Sequence, residues 1–250
     1  MPTNAEIKHV KALQQKKYRL QHGLFIAEGP HLAEALLQSN HTLDQLYATE
    51  AGLKSLSIPV PEGKLSIVKP TTLRAMSALD TAHGMLATVH LPEHQLPPEL
   101  AREQWLLAID GIQNPGNLGT IIRTADWFGF PYLVCSPNTV DAYNPKVVQG
   151  SMGSLFHTTL VYRYLPAIAA KSGAPLYTLE KDGTSLYSTV LPKAGVLVVG
   201  HETQGVSEAM QAETTQALSI PGYGQAESLN AAIATAVTLA QLRANLAITS

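Results

Sequence analysis

The sequence predicts an α/β protein: a doubly wound, mainly parallel sheet preceded by a smaller α/β domain. Three observations predict it. After residue 105, short apolar runs alternate with stretches of helical periodicity, the order expected of βαβ units. Those runs are continuous, as in Val196-Leu-Val-Val199, which suits strands covered on both faces. Between Leu91 and Leu100, Pro92, Pro97 and Pro98 stand among polar residues and disfavour both helix and sheet. This stretch separates a domain over 1–94 from one over 105–250, with 95–104 as linker and domain start.

In the first domain, Ala5 to Gln21 reads as a helix, and Pro30 to Gln38 as another opening at its proline. Leu46 to Ala48 and Leu65 to Val68 read as strands, Thr71 to Met76 as a helix, and Gly84 to Val89 as a strand. In the second, Trp105 to Ile109 is a strand, Leu118 to Gly129 a helix, Tyr132 to Cys135 a strand and Pro145 to Leu155 a helix. Leu160 to Tyr162, Leu176 to Leu179, Val196 to Val199 and Ala217 to Ile220 are further strands. Ser228 to Leu246 is a long Ala-rich helix.

Composition narrows the class. Hydrophobic residues make up 45% and charged residues 14% of the chain, which suits a folded domain with a sizeable core and excludes a disordered one. The net charge is -2, so charge as a whole does not point to nucleic acid. Locally, Lys8, Lys11, Lys16, Lys17 and Arg19 cluster with only Glu6 opposing them. Such a cluster is either a solvated helix face or a patch that tracks phosphates. Cys135 is the single cysteine, so no intrachain disulfide forms. It follows the apolar run from Phe130, and a buried thiol is expected. The histidines show no metal-ligand spacing, and no metal is expected. Met1 to Lys11 is polar and charged, unlike a signal peptide, and no apolar run is long enough for a bilayer. The expectation is a cytoplasmic protein without a membrane partner.

In sheets of this kind, ligands bind beyond the carboxyl ends of the strands. Three strands here run into polar, glycine-rich sequence. The first segment, Asp110 to Asp126, holds Asn114 and Asn117 near a helix start and Arg123 on the helix. By itself it is equally an ordinary capped turn. The second, Val199 to Ser207, places Gly200 and Gly205 around Glu202. It is either a ligand loop or a surface turn. The third, Leu218 to Ile233, carries Ser228 as a candidate N-cap and Asn230 in the first turn, where asparagine is a mediocre helix former.

Taken together and in order, these segments resemble the three signature motifs of the SpoU (TrmH) family, the SPOUT RNA ribose 2′-O-methyltransferases. Asn114, Gly119 and Ile121 to Ala125 carry the first motif. Gly200, Glu202 and Gly205 carry the second, and Ile220, Pro221 and Ser228-Leu-Asn230 the third. Tyr143 to Val147 and Ser151 to Ser154 are similar to the family too. Phe25 to Gly29 and Thr81 to Val89 resemble the substrate-binding domain that often precedes this catalytic domain. Departures occur at Gln149-Gly150, at Ala231-Ala232 and over Gly222 to Ala226. They leave the matched catalytic side chains intact and bear on the substrate.

The resemblance implies S-adenosylmethionine as cofactor, RNA as substrate, a homodimer and a carboxyl-terminal trefoil knot. Ribosomal RNA is favoured, with transfer RNA as the alternative. It implies catalytic roles for Asn114, Arg123, Glu202, Ser228 and Asn230. Cofactor contacts are implied at Val199, Gly200, Ile220, Ser228 and Leu229, and RNA contacts at Lys8, Lys11, Lys16, Lys17 and Arg19. A nucleotide-binding oxidoreductase fits less well, because the Gly-x-Gly-x-x-Gly spacing and its following acidic residue are absent. A non-catalytic RNA-binding protein is disfavoured by Arg123, Glu202, Ser228 and Asn230 occurring together.

Overall fold

The computed structural model describes residues 2–79, 81–97 and 99–248. The chain divides into two compact units: Met1–Glu93 with Asp141–His157, and His94–Val140 with Thr158–Ser250. The first unit therefore includes a segment drawn from within the stretch 105–250.

The first unit begins with α1 (Asn4–Ala12), opened by a capping box between Thr3 and Glu6. Helix α2 (Lys16–His22) follows and ends at Gly23, whose φ of 65° is the left-handed conformation glycine adopts freely. The single helix expected over Ala5 to Gln21 is thus two. The reason is local. Arg19 Nη1 donates to the carbonyls of Leu13 (2.9 Å) and Gln14 (2.8 Å), satisfying oxygens that the break releases.

Next come β1 (Leu24–Glu28), α3 (Pro30–Gln38), β2 (Leu43–Ala48), α4 (Glu50–Leu53), β3 (Leu65–Ile67), α5 (Pro70–Met76) and β4 (Met85–His90). The strands form a four-stranded sheet in the order β1-β4-β2-β3, antiparallel except for β2 against β3. Val10, Leu13, Ile26, Leu73, Met76 and Leu86 form its core on one face. The segment 141–157 packs its helix against β1, with the Tyr143 ring 4.8 Å and the Phe156 ring 6.3 Å from that of Phe25.

The second unit contains α6 (Leu100–Glu103), β5 (Trp105–Ile109), α7 (Pro115–Trp127) and β6 (Tyr132–Cys135). The helix of the inserted segment, belonging to the first unit, is α8 (Pro145–Ser151). It ends where Met152 turns left-handed (φ 50°), short of the expected Leu155. The second unit resumes with β7 (Thr159–Tyr162), α9 (Leu165–Ser172), β8 (Leu176–Ser185), β9 (Gly195–Val199), α10 (Glu208–Gln211), β10 (Gln216–Ser219) and α11 (Ala231–Ile248).

Its six strands lie in the order β10-β8-β9-β5-β6-β7, and every pairing is parallel. Strands β5 and β9 are buried along their whole length. On one face Leu106, Ala108, Val196 and Val198 meet Leu100, Leu165 and Met210 of α6, α9 and α10. Alternate residues such as Leu107, Ile109 and Leu197 point to the opposite face and are equally buried. This is the predicted doubly wound parallel sheet. Cys135 is fully buried at the end of β6, and burial pushes its thiol pKa strongly upward.

Candidate active site

The site is built at the carboxyl ends of the central strands. The register aligns Ile109 of β5 with Val199 of β9, so the first two motif loops leave the sheet side by side. Asp110 ties them together. Its N–H donates to the Val199 carbonyl (2.8 Å), and its carboxylate accepts the Ser207 N–H (2.9 Å). The next residue, Gly111, has φ 76° and donates to the hydroxyls of Ser136 (2.9 Å) and Thr139 (3.1 Å).

In the first loop, Asn114 precedes Pro115 and caps α7. Its Oδ1 accepts from Gly116 N (2.8 Å) and Asn117 N (3.3 Å). With a proline at the first helical position, α7 starts earlier than the expected Leu118. Asn114 is thereby occupied as a cap. Asn117, in the first turn, is the residue that joins the motifs.

The Asn117 side-chain amide donates to Glu202 Oε1 in the second loop. Its Oδ1 accepts from Asn230 Nδ2 in the third (3.0 Å). Asn230 Oδ1 accepts from Ala232 N (2.9 Å) and Ile233 N (3.4 Å), capping α11. Each amide orientation is fixed by the chemistry. A carboxylate only accepts, so Asn117 must turn its nitrogen to Glu202 and its oxygen to Asn230. Asn230 must then present nitrogen to Asn117 and oxygen to the helix. The long helix accordingly begins at Ala231 with Asn230 as its cap, not at Ser228 as expected.

The second loop closes on itself. His201 and Gly205 exchange backbone hydrogen bonds of 2.9 Å in both directions, and Gly205 has φ 72°. A side chain on Gly200 would overlap the Gly205 backbone, so only glycine permits this turn. Val199, expected at the cofactor, has its side chain in the core and its carbonyl engaged by Asp110.

The third loop departs from β10 at the sheet edge and returns to Asn117, which follows β5. Ile220 is half-buried, Ser228 is exposed, and Leu229 is 47% exposed. Among the described residues, the N–H groups of 222–229 donate to no protein acceptor. Arg123 lies exposed on α7 and, among the described residues, pairs with no acid.

Two residues of this cluster lay outside the expected set: Asn117 and His201. Asn117 carried a signal, the one that marked Asn230. An asparagine inside the first turn of a helix is unfavourable by propensity and needs another reason to be there. His201 carried none.

In the first unit, Lys8, Lys11, Lys16 and Lys17 are exposed, with Lys17 Nζ 5.8 Å from the Tyr18 ring. Arg19 does not join them. It is 2% exposed and its guanidinium pairs with Asp141, Nε lying 3.1 Å from Oδ2. It is a buried staple and is unavailable to RNA. No group of three or more metal-ligating side chains occurs among the described residues. None of the described helices is long and apolar enough to cross a membrane.

Comparison with known proteins places this arrangement. The SpoU rRNA Methylase family matches residues 104–240, and the MRM3-like substrate binding domain matches residues 4–87. A 23S rRNA (guanosine(2553)-2′-O)-methyltransferase of Bacillus subtilis, RlmP, is 32% identical, covering 96% of this chain and 96% of the relative. A protein of the TrmH family of RNA methyltransferases from Porphyromonas gingivalis superposes with a TM-score of 0.87. It is 34% identical, over 98% of this chain and 99% of that one. An AdoMet-bound rRNA methyltransferase from Sinorhizobium meliloti has a TM-score of 0.84 at 26% identity, over 98% and 97%. With its three motif loops joined through Asn117 at the ends of a parallel sheet, the chain belongs to the SpoU rRNA methylase family.

Proposed function

We propose that this chain is an S-adenosylmethionine-dependent ribose 2′-O-methyltransferase acting on ribosomal RNA. The observation that carries this reading is the Glu202–Asn117–Asn230 chain of hydrogen bonds, which gathers all three motif loops at one end of the sheet. The substrate-binding domain match and the full-length similarity to a 23S rRNA enzyme favour ribosomal over transfer RNA.

When bound, S-adenosylmethionine supplies an electrophilic methyl carbon. The third loop suits such a ligand: the free N–H groups of 222–229 and the exposed Leu229 offer polar and apolar contacts together. Gly200, Ile220 and Leu229 are the residues we assign to the cofactor, with Val199 acting through the position of its strand end.

Arg123 is unsuited to be the base that takes the 2′-hydroxyl proton, because guanidinium stays protonated at any working pH. Its exposure suits a different role: it grips an RNA phosphate and holds the ribose in line. Ser228 and Asn230 bring a hydroxyl and an amide to the third loop, and a phosphate oxygen accepts the proton. Lys8, Lys11, Lys16 and Lys17 add sequence-independent affinity.

We further read the protein as a cytoplasmic homodimer with a carboxyl-terminal trefoil knot. Trp127 of α7, 84% exposed, and Ile233 of α11 support the dimer. The return of the chain from β10 to Asn117 supports the knot.

The test is mapping of 2′-O-methyl sites in RNA from cells with and without the gene, joined to transfer of labelled methyl to purified rRNA and tRNA. One ribosomal position lost with the gene and restored in vitro is expected. Transfer to tRNA alone redirects the substrate, and transfer to neither overturns the activity.

A further inference from the structure

Building on the methyltransferase reading, we propose that His201 is a positioning residue of this site. It works as a neutral imidazole, protonated on Nε2, that sets the orientation of Glu202.

The tautomer follows from the loop. His201 Nδ1 accepts the backbone N–H of Thr203 at 3.2 Å and that of Gln204 at 3.5 Å, and it lies 3.2 Å from the Thr203 hydroxyl. A nitrogen that accepts backbone N–H groups carries no proton, so in the neutral ring the proton sits on Nε2. That edge faces Glu202, with Nε2 3.8 Å from Oε2. The separation is too long for a direct hydrogen bond. It still sets the electropositive edge of the ring against one carboxylate oxygen while Asn117 holds the other.

Glu202 is thus held from two sides, and the order runs on through Asn117 to Asn230 and the start of α11. Loss of the ring leaves one carboxylate oxygen without its neighbour. The carboxylate then keeps only its bond to Asn117, and both it and the Asn117 amide are less tightly oriented. The imidazole also takes up the N–H groups of Thr203 and Gln204, so it sets both the shape of the loop and the direction of its carboxylate.

Two variants separate these contributions. His201→Asn keeps an acceptor for the Thr203 N–H but cannot reach Glu202. His201→Gln extends an amide N–H towards Glu202. His201→Ala removes both. The expected result for His201→Ala is a kcat lower by on the order of a hundredfold, the effect of roughly an ångström of misplacement, with KM for RNA nearly unchanged. His201→Asn should regain thermal stability without regaining kcat, and His201→Gln should regain kcat. Combined with Asn117→Ala, His201→Ala should slow the reaction no further, because both act through one chain of contacts. Full activity in His201→Ala, recovery of kcat in His201→Asn, or additive losses overturn the proposal.

A readout independent of catalysis is the imidazole nitrogen spectrum of the full-length protein. A neutral His201 ring protonated on Nε2 is expected, and one protonated on Nδ1 overturns the proposal. If the wild-type protein methylates no RNA, the activity reading fails. The spectrum and a stability cycle between His201→Ala and Glu202→Gln still decide the role of His201: coupling supports it and additivity overturns it.

Discussion

Asn230 donates its side-chain amide to Asn117 Oδ1 across 3.0 Å, joining residues 113 apart in the chain. The bond links the start of α11 to the start of α7, two helices that pack together. It makes Asn117 the point on which the three loops converge.

Substitution at the two asparagines of the first loop should therefore have unlike results. Asn117→Ala should reduce methyl transfer by on the order of a hundredfold or more, with Asn117→Asp worse, because a second carboxylate would face Glu202. Asn114→Ala removes a helix cap and should reduce stability by about 1 kcal/mol, leaving kcat near wild type. Steady-state kinetics beside thermal unfolding check both.

Arg123→Ala should abolish transfer while cofactor affinity, measured by titration calorimetry, stays nearly unchanged. Arg123→Lys should recover little, since a lysine offers a point charge and not a two-pronged grip on phosphate. Retained turnover in Arg123→Ala would remove the arginine from the reaction.

Arg19 and its lysine neighbours should separate cleanly. Arg19→Ala strands the partly buried Asp141 carboxylate and frees the carbonyls of Leu13 and Gln14. A loss of about 3 kcal/mol is expected, as for other broken buried pairs, measured by denaturant unfolding. Lys16→Glu and Lys17→Glu should leave stability alone, weaken RNA binding, and each lower the salt dependence of binding by about one phosphate contact.

Glu28 gives the protein a pH dependence of predictable sign. Burial raises its pKa, and the Ser77 hydroxyl, the Ala78 N–H and the nearby His83 only partly oppose this. A carboxyl with a raised folded pKa binds its proton more tightly folded than unfolded. Its contribution is fully present below the ordinary carboxylate range and is lost as pH rises through the raised value. Glu28→Gln should remove that dependence without unfolding the protein. The amide oxygen can accept from Ala78, and its nitrogen can donate to Ser77 Oγ once that hydroxyl turns to the Leu79 carbonyl, 3.3 Å away. Unfolding free energies between pH 4 and 8 in both proteins test this, on the scale of about 1 to 3 kcal/mol for a buried polar group.

Cys135 should resist alkylation in the folded protein. Its thiol is fully buried and its pKa raised, so thiolate is scarce and inaccessible. Labelling by iodoacetamide should appear only as the protein unfolds.

The sequence by itself determined the parallel sheet, because continuous apolar strands such as Val196 to Val199 have no stable place except between two layers. It also determined where the three motif loops gather, since polar glycine-rich sequence directly after such strands has to emerge at their carboxyl ends. Only the tertiary structure decided between Asn114 and Asn117. Both sit at a helix start, and their roles separate only when Glu202 and Asn230 arrive from loops far along the chain. Arg19 shows the same limit. Its sequence neighbours are exposed lysines, and its real partner is an aspartate 122 positions away. Local sequence fixes periodicity, caps and turns, because those depend on neighbouring dihedral angles. Which polar groups meet across the fold depends on how the strands and helices pack.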